Sequence, residues 1–443
     1  MQFNSIEFLF CFLPVFLIVY YGLPGKLRSF AMVSGSLLFY WYSSNGDLWR
    51  IGLLLGVTLG AYGVGRKLGK SKNPGLLAFS LGMLLGILTF FKLYNGGRYL
   101  PAGMSFFLFQ IAAYLIDVYR RRILPESKVL AFTEQITFFP KLLSGPLMDP
   151  QALRLQQKYN SPNRENLHRG LQLLICGLGL KVCIANRLGS LWNQGAVIGY
   201  ESISPAFAWL CLIAYAMQLY FDFYGYSLMA MGIGKMFGYD LPENFLDPYA
   251  SRSVSEFYRR WHASLGAWFR NYLYFPLGGS RKGSGRTIFN LAVVWLFTGL
   301  WHGVGGNYLL WAGMLFALIV LEKLWLGKYL KKCRLLSHAY VVFAILLTWV
   351  PFAVGDPNKM MIFFGRLFGQ MGTTLNAEDY IAFGSDYFPI LAAGLFLATP
   401  IPRKLAKRWK DTTLADVLMF GLFWLVVYFI STAAQDPFLY FAY

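Results

Sequence analysis

The chain has 443 residues, 56% of them hydrophobic and 18% aromatic with only 14% charged, and a mean hydropathy of +0.46. These values lie outside the soluble range and point to a multi-spanning membrane protein. The net charge of +19 comes from short polar loops, Arg66 to Lys72, Arg120 to Arg122, Arg281 to Arg286, Lys328 to Arg334 and Arg403 to Lys410, which by the positive-inside tendency face the cytoplasm. Such loops suit anionic headgroups or a polyphosphate ligand. Nucleic acid is a poor alternative, because membrane spans separate the clusters.

In chain order, apolar runs predict spans at Phe3–Tyr21, Ser29–Ser43, Leu48–Val64, Leu76–Tyr94, Met104–Val118, Leu171–Ala185, Pro205–Phe237, Ile288–Trp301, Tyr308–Leu326, Ala339–Val354, Tyr387–Ala398 and Leu414–Thr432. The expectation is an all-α, polytopic integral membrane protein of roughly 10 to 13 transmembrane or re-entrant helices. It forms one membrane domain over residues 1–443, with a catalytic core at about 205–326. The N-terminus lacks a basic n-region and a small-residue cleavage site, so it reads as a retained first span. Glu134 to Pro150 holds three prolines, a glycine and a lysine in a largely apolar stretch; a re-entrant hairpin or interfacial elbow and an ordinary loop fit it equally. Gln218 and Asp222 share a helical face in an aromatic run, and Asp222 is either a structural partner for a basic residue or part of a polar cavity. The five cysteines show neither metal-ligand spacing nor a disulfide pattern.

The stretch Ser255 to Gly303 organises the rest. Phe257, Trp261, Leu265 and Trp268 are spaced to share one helical face, with Arg259, Arg260 and Arg270 on the others. That pattern predicts one amphipathic helix lying in the membrane interface. Pro276, Gly278 and Gly279 end it, and Arg281, Lys282 and Arg286 return the chain to water or headgroups. From Thr287 to Trp301 nothing is ionisable, and the run ends at His302, roughly 24 Å of helix beyond Arg286. An intramembrane titratable residue is costly to keep and reads as functional. Gly299, Gly303, Gly305 and Gly306 around it leave room for another chain or a ligand to approach.

Of the four histidines, His168 and His338 read as interfacial surface residues, whereas His262 and His302 each follow a tryptophan in the central stretch. No paired helical histidines support a metal centre, and no G-x-S-x-G elbow marks a nucleophilic serine. A neutral imidazole is the side chain best matched to taking a proton from a hydroxyl near neutral pH. General base and satisfied core histidine remain open for His302 from placement alone, and the structural reading leads for His262.

The motifs then carry a resemblance. MQFNSIEFLF, GMSFFLFQIAAYLIDVYR, FFPKLLSGP, YFDFYGYSLMAMGIGKMFGYDLPENF, SRSVSEFYRRWHASLGAWFRNYLYFPLGGSRKG, NLAVVWLFTGLWHG and DPFLYF occur in one order along nearly the whole chain. In this the chain resembles the membrane-bound O-acyltransferases, in particular the bacterial alginate O-acetyltransferase-like branch that also includes the D-alanyl transfer protein of teichoic acid synthesis. The resemblance implies that His302 of the WHG motif acts in acyl transfer, that Asn271, 31 residues earlier, takes the place of the family's asparagine or aspartate, and that His262 of RRWH lines the tunnel. Leu228 stands where many relatives carry a carboxylate, so no role is carried over to it.

The resemblance further implies a fold curved around a thinned centre, in a bacterial cytoplasmic (inner) membrane, with a channel from cytoplasmic donor to external acceptor. Acetyl-CoA is the expected acyl donor, used as substrate with no permanently bound cofactor, its phosphates docking against Arg281, Lys282 and Arg286. His302 takes the acceptor hydroxyl's proton while Asn271 donates to the oxyanion or orients the imidazole. The acceptor is an extracellular or cell-wall polysaccharide, and a separate SGNH-type partner finishes the transfer. The competing readings are D-alanyl transfer to teichoic acid from a carrier protein and a transporter without chemistry; the PLGGSRKG segment favours O-acetyl transfer.

Overall fold

In the computed structural model, residues 1–97, 99–159 and 163–432 are described; the DPFLYF motif, at 436–441, lies outside them. The described residues form helices and connecting turns with no strand. Lipid gives backbone amides and carbonyls no partner, so each spanning segment must satisfy its own. Each of the twelve predicted spans falls on a helix. Eight of these helices are long and apolar enough to cross a membrane. Three helix starts follow one local rule, a polar cap followed by proline at the first helical position. Asn73 accepts from the Leu76 amide at 3.0 Å, Asp356 from the Lys359 amide at 2.9 Å, and Thr399 from the Ile401 amide at 3.3 Å. The predicted span Leu171–Ala185 is longer than apolarity alone suggests: helix runs over Arg164–Ile198, 35 residues, through a π-helical turn at Leu180–Ala185.

The chain divides into two compact units, one built mainly from Met1–Gly177 and Tyr226–Glu243, the other from Leu178–Gly225 and Asn244–Phe429. In the first, the proline-rich segment is an elbow of two short helices, Val129–Thr137 and Phe139–Leu142, broken at Phe138. Every residue from Phe132 to Met148 is buried, so the reading as an ordinary loop falls away. A ring cluster of Phe3, Phe8, Phe39 and Phe139 holds the elbow in place. Buried Lys141 donates to the Gln110 side chain and to the Gln135 carbonyl, so its ammonium is held by neutral acceptors.

In the second unit the expected interfacial helix is two helices, Val254–Arg260 and Ala263–Phe269, with His262 between them at φ 46°. The predicted face is real, but Phe257, Trp261 and Leu265 are buried in protein and not in lipid. Trp261 packs against Trp349 and Phe245, and Phe257 against Tyr249. The break arises because backbone groups at the joint bond elsewhere: Ala263 donates to the Asn244 carbonyl at 2.9 Å, and Leu246 donates to the Arg260 carbonyl at 3.0 Å.

Asp222 finds the partner that one of its two readings required. Its carboxylate meets the Lys181 ammonium, and both side chains are almost wholly buried. Removing one member of a buried pair strands the other's charge, whereas replacing both with apolar groups does not. Asp222→Asn therefore lowers stability by about 3–5 kcal/mol, and the double variant Lys181→Met/Asp222→Leu recovers most of it. Thermal unfolding of the detergent-solubilised protein reads both; equal losses in the single and double variants contradict the pairing argument.

Candidate active site

The second unit encloses a cavity of about 720 Å³. Its lining divides by exposure. Five exposed cations, Arg252, Arg259, Arg270, Lys323 and Lys331, belong to the part open to the surroundings. The buried part carries two imidazoles, His262 and His302, set among Trp261, Trp295, Trp311, Trp349 and Phe352. The chain thus puts cations at the entrance and, beside the buried carboxylate of Glu322, uncharged rings inside.

His302 is the last residue of the helix Gly283–His302 and is 7% exposed. Rings surround it: Trp301 at 4.5 Å, Trp311 at 4.8 Å and Phe352 at 5.2 Å between centroids. Gly299 and Gly303 make room for the chain's own next helix and not for a ligand. A Cβ at Gly299 falls 2.9 Å from Ala312 Cβ, and one at Gly303 falls 2.4 Å from the Tyr308 ring. Close packing of Gly306–Leu321 on this helix is what brings Trp311 to the imidazole.

His262 is held more tightly than its sequence position suggests. Its backbone lies in the left-handed region, uncommon for a residue with a Cβ and concentrated at functional sites. Its Nδ1 lies 3.3 Å from Asn244 Oδ1, and the same oxygen accepts from the Ser264 hydroxyl at 2.6 Å and the Ser264 amide at 3.4 Å. A backbone amide can only donate, which identifies that Asn244 atom as the oxygen. Nδ1 of His262 must then carry the proton, leaving Nε2 as the basic nitrogen. Burial pushes the His262 imidazole down to about 3, so it stays neutral through the physiological range. Phe223 stands edge-on to it at 4.7 Å, and Trp301 touches both histidine rings.

The other candidates fall differently. Asn271 lies half-buried in the π-helical turn Arg270–Tyr274; Arg270 and Tyr274 line the cavity, and Asn271 is not among the lining residues. Arg281, Lys282 and Arg286 are exposed at the far end of the His302 helix, outside the lining. Arg286 donates to the Leu277 carbonyl at 3.2 Å and stacks over Phe289. His168 is exposed, and His338 faces the Ser251 carbonyl at 3.0 Å. Among the described residues no three His, Cys, Asp or Glu side chains are grouped to hold a metal ion.

Sequence reasoning missed Asn244, Glu322 and the cavity cations Arg252 and Lys323, and named Lys331 only within the basic loop Lys328 to Arg334. Glu322, buried in the lining, accepts from the Ser255 amide at 3.1 Å and the Ser255 hydroxyl at 2.9 Å, so it neutralises the start of the helix Val254–Arg260. A signal for that helix start was present in Ser253-x-x-Glu256, a capping-box spacing in which Ser253 Oγ accepts from the Glu256 amide at 3.0 Å. Glu322 and Lys323, inside the predicted span Tyr308–Leu326, carried a second signal, since charges there need a partner or a surface.

The family model of the membrane-bound O-acyltransferases matches residues 76–345, which hold both histidines and all five cavity cations. The chain is 33% identical over 397 residues to the probable alginate O-acetylase AlgI of Pseudomonas putida, covering 83% of this chain and 80% of that protein. It is 30% identical over 364 residues to the peptidoglycan O-acetyltransferase of Helicobacter pylori, covering 70% and 68%. To the teichoic acid D-alanyltransferase of Bacillus subtilis it is 28% identical over 244 residues, covering 51% and 59%. A domain match that holds both histidines and all five cavity cations, with a third of positions shared over four-fifths of the chain, makes this protein a member of the membrane-bound O-acyltransferase family and an O-acyltransferase.

Proposed function

We propose that the protein carries acetyl groups from cytoplasmic acetyl-CoA across a bacterial cytoplasmic membrane for O-acetylation of an extracellular or cell-wall polysaccharide. The observation that supports this most is one cavity with five cations on its exposed lining and two histidines on its buried lining. The names of the alginate and peptidoglycan O-acetylating relatives favour a polysaccharide acceptor. A separate SGNH-type partner completes delivery to the polymer.

In this reading the donor's phosphates engage Arg252, Arg259, Arg270, Lys323 and Lys331, which line the cavity as Arg281, Lys282 and Arg286 do not. The thioester enters the ring-lined interior, where water is scarce and electrostatic interactions are stronger. A ring nitrogen of His302 takes the proton of the acceptor hydroxyl as its oxygen attacks the thioester carbonyl. The C–S bond then breaks, and the imidazolium returns its proton to the departing thiolate. The carbonyl ends of the helix Gly283–His302 lie beside the ring and favour its transient positive charge. Asn271 lies outside the lining beside Arg270, and its role as hydrogen-bond donor to the oxyanion follows from the motif and not from the cavity geometry. His262, fixed by Asn244 with Nε2 basic, is the proposed second polar group of the interior.

Three outcomes test the reading. His302→Ala lowers kcat for transfer of labelled acetyl from acetyl-CoA by about 10²–10⁴-fold while the protein stays folded in the membrane. Label in the mutant equal to wild type removes His302 from the chemistry, and wild-type label only from a charged carrier protein favours D-alanyl transfer. Arg259→Gln/Arg270→Gln raises KM for acetyl-CoA about tenfold or more with little change in kcat, because charge-assisted bonds to phosphate hold the donor before reaction. Asn244→Ala lowers kcat with KM nearly unchanged, and Asn244→Asp, which keeps the acceptor on Nδ1–H, restores most of it; failure of Asp to rescue contradicts the tautomer assignment.

A further inference from the structure

The helix Pro400–Trp409 lies between Asp379–Leu397 and Thr413–Thr432, both long and apolar enough to cross a membrane. Two residues separate it from the first and three from the second, so both of its ends are tied to a membrane surface. At 100° per residue, Ile401, Leu405, Ala406 and Trp409 fall on one half, and Arg403, Lys404, Lys407 and Arg408 on the other, with no carboxylate in the helix. None of its residues is buried. The flanking helices are the least buried of the candidate spans, at 11% and 6%, so these two spans offer little protein cover. Arg403 reaches the Asp247 carboxylate at 3.6 Å, while Lys404, Lys407 and Arg408 form no ion pair with a described residue.

We propose that Pro400–Trp409 is a docking surface for anionic phospholipid. Its apolar half enters the boundary between headgroups and acyl chains, and Lys404, Lys407 and Arg408 bind the headgroup phosphates. Net charge decides the partner: a zwitterionic headgroup offers a phosphate but balances it with its own cation. The site is separate from the cavity cations, since no residue of this helix lines the cavity.

The test uses the full-length protein with the photoreactive residue benzoylphenylalanine at Leu405, reconstituted in vesicles of equal phosphatidylglycerol and phosphatidylcholine, with adducts identified by mass. Phosphatidylglycerol adducts exceed phosphatidylcholine adducts more than tenfold at Leu405, and Lys404→Gln/Lys407→Gln/Arg408→Gln lowers that ratio more than tenfold, since each cation near an anionic surface contributes about fivefold. The same probe at Phe420, exposed on the flanking span, gives a ratio near unity. Lys404→Arg/Lys407→Arg keeps the preference, which separates lost charge from misfolding. Equal adducts at Leu405 in the unmodified helix, an unchanged ratio in the triple glutamine variant, or adducts to protein in place of lipid overturn the proposal.

Discussion

The side chain and carbonyl of Asn244 determine where the central helix breaks, and the site depends on that break. A continuous helix through Trp261 and His262 would leave the imidazole on a helical face, free to follow its rotamers. Instead, the Asn244 carbonyl takes the Ala263 amide and its side-chain oxygen takes His262 Nδ1–H and the Ser264 hydroxyl. A left-handed residue with a Cβ persists only when its surroundings over-determine it. Four acceptor contacts at one asparagine, the Ser264 amide included, with Phe223 and Trp301 closing on the ring, provide that constraint. The strain is local, and its product is an imidazole with a fixed tautomer at the wall of a cavity.

The second histidine is placed by a different physics. His302 sits where a helix ends, and aromatic packing confines it. Gly299 and Gly303 let the following helix approach until Trp311 and Tyr308 meet the ring, and Trp349 and Phe352 from Arg334–Ala353 complete the enclosure. Indole and phenyl rings bury area without adding charge, so they keep the interior dry while permitting a flat polar ring among them. Backbone clamping and aromatic packing together bring two imidazoles to one cavity wall.

Much of this was legible in the sequence. Apolar runs placed a helix at each of the twelve predicted spans because backbone satisfaction in lipid allows little else, and the Asn-Pro, Asp-Pro and Thr-Pro starts are written locally. His262 and His302 stood out by number and setting. The two-helix break was not legible, since Phe257, Trp261, Leu265 and Trp268 keep helical spacing whether or not the chain bends at His262; the bonds that bend it come from a residue 18 positions earlier. Nor could spacing rank the basic clusters. Arg281, Lys282 and Arg286 are dense in sequence but open to the surroundings, while Arg252, Arg259, Arg270, Lys323 and Lys331 are scattered and meet only through packing. The same limit explains Asp222, whose partner Lys181 lies on another helix.

Charge in this chain is better understood by its neighbours than by its total. A net +19 suggests one electropositive body, yet each cation acts within a Debye length of roughly 8 Å at physiological salt. Arg252, Arg259 and Arg270 belong to the same short helices and turns that carry Trp261, His262 and Phe269 into the cavity wall, so a ligand they attract is delivered to the histidines. Lys404, Lys407 and Arg408 back onto Ile401, Leu405 and Trp409, and attraction there leads only to a bilayer surface. What separates the two sets of cations is the apolar surface behind them: a walled pocket fits one elongated molecule, whereas an open helical face between two lipid-exposed spans fits a leaflet.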